Sequence, residues 1–230
     1  MKKDLKGFLN QFFALEIVSG KKIRIPYWQN KFYKSGKRIQ GPFGGKGIPT
    51  QIKKATIQKA KSSKVDLTLL SSEQIRVFMK QKKIGLDCSG FAFQILNHLK
   101  PGFFRGLKKA AGRSFNPIRR FNAEALTSKE NSERVEKVKD LKVGDLIPVS
   151  SNDQDIDHVM VVVGISQKEI VYAHSSGKAK VSGPHLGKIK ITDRELPLEK
   201  QQWLETTKQG LRLLEFACQP LKRLGVRRVI

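Results

Sequence analysis

Three residues of this chain have the types and placement to carry out acyl transfer: Cys88, His158 and His174. Asp87 is a favoured helix N-cap, so Cys88 falls in the first turn of a helix, where unpaired backbone N–H groups and the helix dipole favour a thiolate. A thiol attacks a carbonyl as its thiolate, and a neighbouring imidazole is the usual way to make one at neutral pH. His158 is the candidate base, taking the thiol proton and returning it to a leaving amine. His174 is the candidate third group that fixes the tautomer of the base. The Cys88 N–H at the helix start would serve as one oxyanion donor. Each residue also has a plainer use. A lone cysteine packs as a small hydrophobe, and a lone histidine on a strand is a hydrogen-bonded core residue. Zinc held by Cys88, His158 and His174 is the remaining alternative. The chain has neither C-x-x-C nor H-x-x-x-H spacing at these positions, so no metal and no cofactor is expected.

The elements that must position these residues can be read from periodicity. After Cys88, the residues Phe91, Ala92, Ile95, Leu96 and Leu99 recur at helical spacing and give a wide apolar face, and Pro101-Gly102 ends the helix. A helix over 71–84 precedes it, opened by the capping-box pair Ser71 and Gln74 and closed by Gly85. Strands are expected over 144–149, 158–163 and 169–174; the second is apolar on both faces and so interior. Folding the last two about Ser166 places His158 opposite His174 on one face, with Cβ atoms ~5 Å apart. A slip of one residue would separate them, and a slip of two would bring Tyr172 opposite His158 instead. Further elements are a helix over 4–18, a helix over 49–61, a strand over 188–192, a helix over 197–206 with Trp203, and apolar stretches at 211–217 and 224–230. The glycine run 41–47 is not a P-loop, since Gln40 and Gly47 stand where that motif needs Gly and Ser or Thr. It suits close backbone approach to another surface, such as a substrate groove. Residues 101–140 hold ten Lys or Arg and read as a basic, partly mobile insertion. His98 and His185 are assigned to surface or packing.

The expected fold class is therefore α+β, with the Cys88 helix against an antiparallel sheet bearing both histidines. Residues 1–70 form a basic, turn-rich N-terminal region, and 71–230 the catalytic domain with its insertion at 101–140. The length of 230 residues and 39% hydrophobic content suit one full core. The net charge of +25 favours a polyanion partner, whether nucleic acid, anionic lipid or wall polymer. Two cysteines, Cys88 and Cys218, imply no disulfide framework. No run reaches the ~18 apolar residues of a transmembrane helix. The basic N-terminus lacks the apolar core and cleavage pattern of a signal peptide, so a cytoplasmic location is expected, with non-classical export as the alternative.

The order Asp87-Cys88-Ser89-Gly90-Phe91, Gly144-Asp145-Leu146, His158 opening a valine-rich strand, and Ala173-His174-Ser175 resembles that of the NlpC-like cell-wall cysteine peptidases, a papain-like family. The resemblance spans the middle and second half of the chain. It implies a papain-like fold with Cys88 as nucleophile, His158 as base and His174 as third residue. Asp87, Ser89 and Asp157, which flank the nucleophile and the base, would be supporting residues. Tyr27, in Pro26-Tyr27-Trp28, resembles the substrate-site tyrosine of that family. His174 lies further from His158 than the family pattern, which leaves Tyr172, two residues earlier on the same face, as the other candidate for third residue. The function implied is a thiol hydrolase that cleaves peptide or isopeptide bonds in peptidoglycan-like peptides. The alternatives are a papain-like amidase or acyltransferase on a non-wall substrate, and a non-catalytic basic module that binds nucleic acid or another polyanion.

Overall fold

A computed structural model describes residues 3–29, 31–32, 38–39, 41–110, 116–149, 156, 158–208, 210 and 225–230. The chain begins with α1 (Lys3–Phe13), β1 (Leu15–Val18), β2 (Lys21–Ile23), β3 (Lys31–Phe32) and β4 (Arg38–Ile39), followed by α2 (Pro49–Ser62), α3 (Ser72–Gln81) and α4 (Cys88–Leu99). Then come α5 (Ala123–Thr127), β5 (Ser132–Val135), β6 (Leu146–Val149), β7 (His158–Ile165), β8 (Glu169–Ser176), β9 (Gly183–Lys190), β10 (Gln202–Trp203) and β11 (Val226–Val229). The architecture is α+β. Among the described residues, seven antiparallel strands form one sheet in the order β10-β9-β8-β7-β6-β11-β5, and α4 packs on β7 and β8.

Strand alternation divides the interior into two cores. Val159, Val161 and Val163 of β7 join Phe91, Ile95 and Leu96 of α4 on one face. Met160 and Val162 join Ile170, Tyr172, Ile189 and Trp203 on the other. This is why β7 reads as apolar at every position: both faces of the strand are covered. Burying an aliphatic or aromatic side chain of this size contributes about 1.5–3 kcal/mol, so the valine run and the apolar face of α4 anchor the Cys88 helix to the central strand.

Several expected elements form as read. Asp87 caps α4, accepting from Gly90 N–H at 2.6 Å. Ser71 and Gln74 make the reciprocal capping box of α3. Other expectations are corrected. The helix expected over 4–18 ends at Phe13, because Leu15 and Ile17 alternate with exposed or half-exposed neighbours and pair with β2. The left-handed residue after α3 is Lys83 (φ 61), not Gly85, which lies beneath Trp28. The helix expected over 197–206 is a single 3-10 turn at Leu198–Lys200 followed by β10. There the Gln201 side chain binds the backbone of Thr192, Asp193 and Leu196, and Trp203 turns into the second core. The strand expected at 188–192 starts earlier, at Gly183.

The basic stretch 101–140, expected to lack clear elements, contains α5 and β5 outside its undescribed part at 111–115. Asn122 caps α5, and the fully buried Asn131 amide ties the backbone of Lys108, Lys109 and Ala125 together. The apolar stretch at 224–230 supplies β11, which lies between β6 and β5. The stretch 211–217 lies outside the described residues, as does Cys218.

Candidate active site

The start of α4 is held by two backbone segments and by the side chains of Lys46 and Ser175. Segment 25–28 runs beside Leu86, with Leu86 N–H donating to Pro26 C=O at 3.0 Å, while Asp87 N–H donates to Gly45 C=O at 2.8 Å. The glycine run is thus used for close approach, to the first turn of α4: a Cβ on Gly45 would lie 2.5 Å from the Trp28 carbonyl oxygen, and φ there is +83°. Lys46 emerges from this run, and its ammonium contacts the Asp87 carboxylate at 3.1 Å, the Ser89 hydroxyl and the Phe121 carbonyl. Ser175 Oγ also donates to the Leu86 carbonyl at 2.7 Å, tying β8 to the residues just before Cys88.

Cys88 is 5% exposed. The backbone N–H groups of Val159 and Ser89 point at its sulfur, so the thiol meets β7 one residue from His158. Burial in the apolar core, then the Asp87 carboxylate, push the Cys88 thiol up to about 12, against the smaller opposing pull of Lys46 and the two amides. The expected ready-made thiolate at the helix start is therefore not the resting state. Desolvation outweighs the helix terminus, and Cys88 is a thiol.

His158 and His174 come together, with Nε2 of the first 2.8 Å from Nδ1 of the second. They are not direct cross-strand partners, as the symmetric hairpin required. The register is Ile165↔Ile170 and Gly164↔Val171, then a bulge, then Val162↔Tyr172 and Val161↔Ala173. Carried one step further, it sets His174 opposite Met160, with His158 two residues along on the same face. The imidazole rings span this diagonal.

Beyond His174 lies a residue the sequence did not reveal. Glu205 receives His174 Nε2 at 3.0 Å from each carboxylate oxygen, the Tyr172 hydroxyl at 2.6 Å and His185 Nε2 at 2.8 Å. His185 is 6% exposed and belongs to this cluster, which refines its expected surface or packing role. The signal that could have found it is its place on β9, where it pairs directly with His174. His98 does pack, stacked on the Phe8 ring and bonded to Asp4. A Cβ on Gly187 would lie 2.2 Å from the Tyr172 ring and 2.3 Å from Glu205 Oε2, so the bare backbone at that position makes room for both.

Electrostatics give the cluster a direction. Burial holds His158 well below the usual imidazole value, and neighbouring His174 adds to this. His174 is lowered too, by burial against the opposing pull of Glu205. Burial alone would raise Glu205, but its hydrogen bonds from His174 and His185 hold it far below the usual carboxylate range. Tyr172 is pushed well above its ordinary value, first by burial and then by the Glu205 charge. A carboxylate therefore accepts from His174 Nε2–H, which leaves His174 Nδ1 to accept from His158 Nε2–H. The remaining nitrogen of His158, Nδ1, is left with its lone pair.

Of the other expected site residues, Asp87 and Ser89 form the cap and the Lys46 contact. The Tyr27 backbone pairs with Leu86, its ring covers Gly177 and its hydroxyl donates to Gln29. Tyr172 reaches Glu205, whereas His174 reaches both Glu205 and His158. Asp157 lies outside the described residues. Comparison with protein-family models, with curated proteins and with solved structures finds no match. Among the described residues, no helix is long and apolar enough to cross a membrane.

Proposed function

We propose that this protein is a papain-like thiol hydrolase that cleaves amide bonds with Cys88 as nucleophile, His158 as general base and His174 as the group that orients it. The observation that carries this reading is the polarised chain His158, His174, Glu205, which begins one residue from the strand amide that faces the Cys88 thiol. A packed cysteine and two structural histidines have no need of a buried carboxylate that sets the tautomer of both rings.

The resting pair is a neutral thiol and a neutral imidazole. The Cys88 proton passes to His158 Nδ1 as sulfur attacks the substrate carbonyl carbon, forming the C–S bond and an oxyanion. The Cys88 N–H at the start of α4 is the proposed donor to that oxygen. Collapse breaks the C–N bond, and the amine leaves with the proton from His158. Water, deprotonated by the same nitrogen, then hydrolyses the thioester. His174 keeps Nε2 of His158 occupied throughout, so that only Nδ1 exchanges protons, and Glu205 fixes His174 in turn. The resemblance of the Asp87 to Phe91 run to cell-wall peptidases makes peptidoglycan-derived peptides the first substrates. The net charge of +25 supports residence on an anionic polymer.

The test is turnover of a panel of peptidoglycan peptides and other amides by the intact chain and by Cys88→Ala, followed by mass spectrometry. The reading expects cleavage by wild type and none by the folded variant. Equal activity in the two would remove Cys88 from the mechanism. Absence of turnover on the whole panel, with steeply salt-dependent binding to nucleic acid or wall polymer, would favour the non-catalytic module.

A further inference from the structure

His185 has a hydrogen-bonding conflict that the proton relay does not use. Its Nδ1 lies 2.8 Å from the Gly183 carbonyl and its Nε2 lies 2.8 Å from Glu205 Oε1. Both partners are acceptors. A neutral ring donating to Gly183 aims the lone pair of Nε2 straight at a carboxylate, and only a cation between them resolves this. That cation is either a second proton on His185 or a metal ion.

We propose that His174, His185 and Glu205 form a zinc site whose occupation reverses the tautomer of His158 and so removes the base from Cys88. The second half of this inference rests on the hydrolase reading above. The donor set is two imidazoles and a carboxylate, a combination that suits Zn²⁺ and leaves a fourth position for water or the nearby Tyr172 hydroxyl. One ligand atom from each residue lies within 4.8 Å of the other two. Tetrahedral zinc with bonds of ~2.0–2.2 Å needs ligand atoms roughly 3.3 Å apart. The present separations of 2.8 to 3.0 Å between each ring nitrogen and the carboxylate reach that with movements of a few tenths of an ångström. The second shell is in place: Gly183 C=O accepts from His185 Nδ1–H, the arrangement that presents Nε2 to a metal. His174 is 1% exposed and the Glu205 side chain 11%, so the site is largely desolvated and opens on the Glu205 side.

The consequence for His158 follows from counting hydrogens. With zinc on His174 Nε2, the one proton of that neutral ring sits on Nδ1 and is donated to His158 Nε2. His158 must then accept at Nε2 and carry its own proton on Nδ1, the nitrogen that serves as base when zinc is absent. No bond of the substrate is involved: His158 and His174 each keep one proton and move it to the other ring nitrogen, and the one proton released to solvent is the second proton of His185, which zinc replaces at Nε2.

The experiment uses the full chain, stripped with a chelator, and adds Zn²⁺ alone in competition with a chromophoric zinc indicator. Imidazole ¹⁵N spectra are recorded on the same samples. One equivalent of zinc is expected to bind, with affinity reduced at least tenfold in His185→Gln and in Glu205→Gln and unchanged in Cys88→Ala. Circular dichroism restricts the comparison to variants that keep the wild-type fold. Zinc is expected to move His158 Nδ1 from an unprotonated to a protonated ¹⁵N shift. The inference is overturned by a folded wild type that binds no zinc, by binding that the His185 and Glu205 variants retain, or by a His158 tautomer that zinc leaves unchanged. Loss of binding in Cys88→Ala also overturns it, since the metal would then lie on Cys88, His158 and His174. None of these readouts uses turnover. A chain that binds zinc as expected but cleaves nothing in its zinc-free form refutes the hydrolase reading and leaves the zinc site standing.

Discussion

His158 Nε2 lies 2.8 Å from His174 Nδ1 although the two residues are not backbone partners. The pair is made by a bulge between Val162 and Gly164, which shifts the register so that the rings meet along a diagonal of one sheet face. Glu205 completes the line by holding His174 Nε2 at 3.0 Å. A line of this kind is of use only if the direction of its protons matters, and that gives the first test. Glu205→Gln can hold His174 through its amide N–H as easily as through its oxygen, so the tautomer is no longer set. In zinc-free buffer, kcat is expected to fall about 10- to 100-fold with KM little changed, the range seen when an outer-shell orienting partner is lost. A purely structural Glu205 would instead lower the melting temperature and leave kcat per folded molecule intact.

The thiol supplies a second test. Cys88 is pushed up to about 12, first by burial and then by the Asp87 charge. Its alkylation by iodoacetamide should therefore keep rising well above pH 9 in the folded chain, while the unfolded chain follows an ordinary thiol near pH 8.5. Asp87→Asn separates the two causes, because Asn still caps α4 but carries no charge. The variant is expected to have a lower thiol pKa and to alkylate severalfold faster at pH 8, with its helix content unchanged. An unaltered rate would leave burial as the only cause and remove Asp87 from the control of the Cys88 thiol.

Lys46 acts in the opposite sense. It pulls the Cys88 thiol down and pairs with Asp87 at a site where both side chains are only 12% exposed. Lys46→Met keeps much of the apolar stem but leaves the Asp87 charge without its nearest cation. A loss of roughly 1–3 kcal/mol in a denaturant titration is expected, with alkylation of Cys88 slower than in wild type. Stability equal to wild type would mean that the capping bonds to Asp87 satisfy the carboxylate by themselves.

Much of this site could be read from the sequence because its signals are local. Asp87 before an apolar 3.6-residue repeat announces α4 and puts Cys88 at its start, and the valine run after His158 announces an interior strand. The bulge was not legible, since Gly164 suits the start of a turn as well as a bulge; the even-numbered slip it helped to produce is what kept His158 and His174 on one face. Glu205 was hidden for a different reason. It sits 31 residues from His174, in a segment whose charged and apolar residues imitate a helix, and it is drawn in by contacts with β8 and β9. Lys46 was masked by its glycine-rich surroundings, which advertise backbone approach and say nothing of where the one long side chain goes.

Gly187 offers the most local test of the cluster. It lies opposite Tyr172 on β9, where strand propensity would favour a β-branched residue, yet a single methyl group there would sit 2.2 Å from the Tyr172 ring and 2.3 Å from Glu205 Oε2. The Tyr172 ring is fully buried against Trp203 and cannot swing aside cheaply. In Gly187→Ala the strain must fall on the ring, on the carboxylate or on the β8–β9 pairing, at a cost of about 1–3 kcal/mol typical of overpacking. Because Glu205 is the more exposed and the more movable of the two neighbours, it is expected to yield first and to release His174 Nε2. The variant should then lose kcat about as Glu205→Gln does, and the double variant Gly187→Ala, Glu205→Gln should lose little more than either alone. Additive losses would show that Gly187 supports the sheet and not the carboxylate, and would separate the packing of this face from its chemistry.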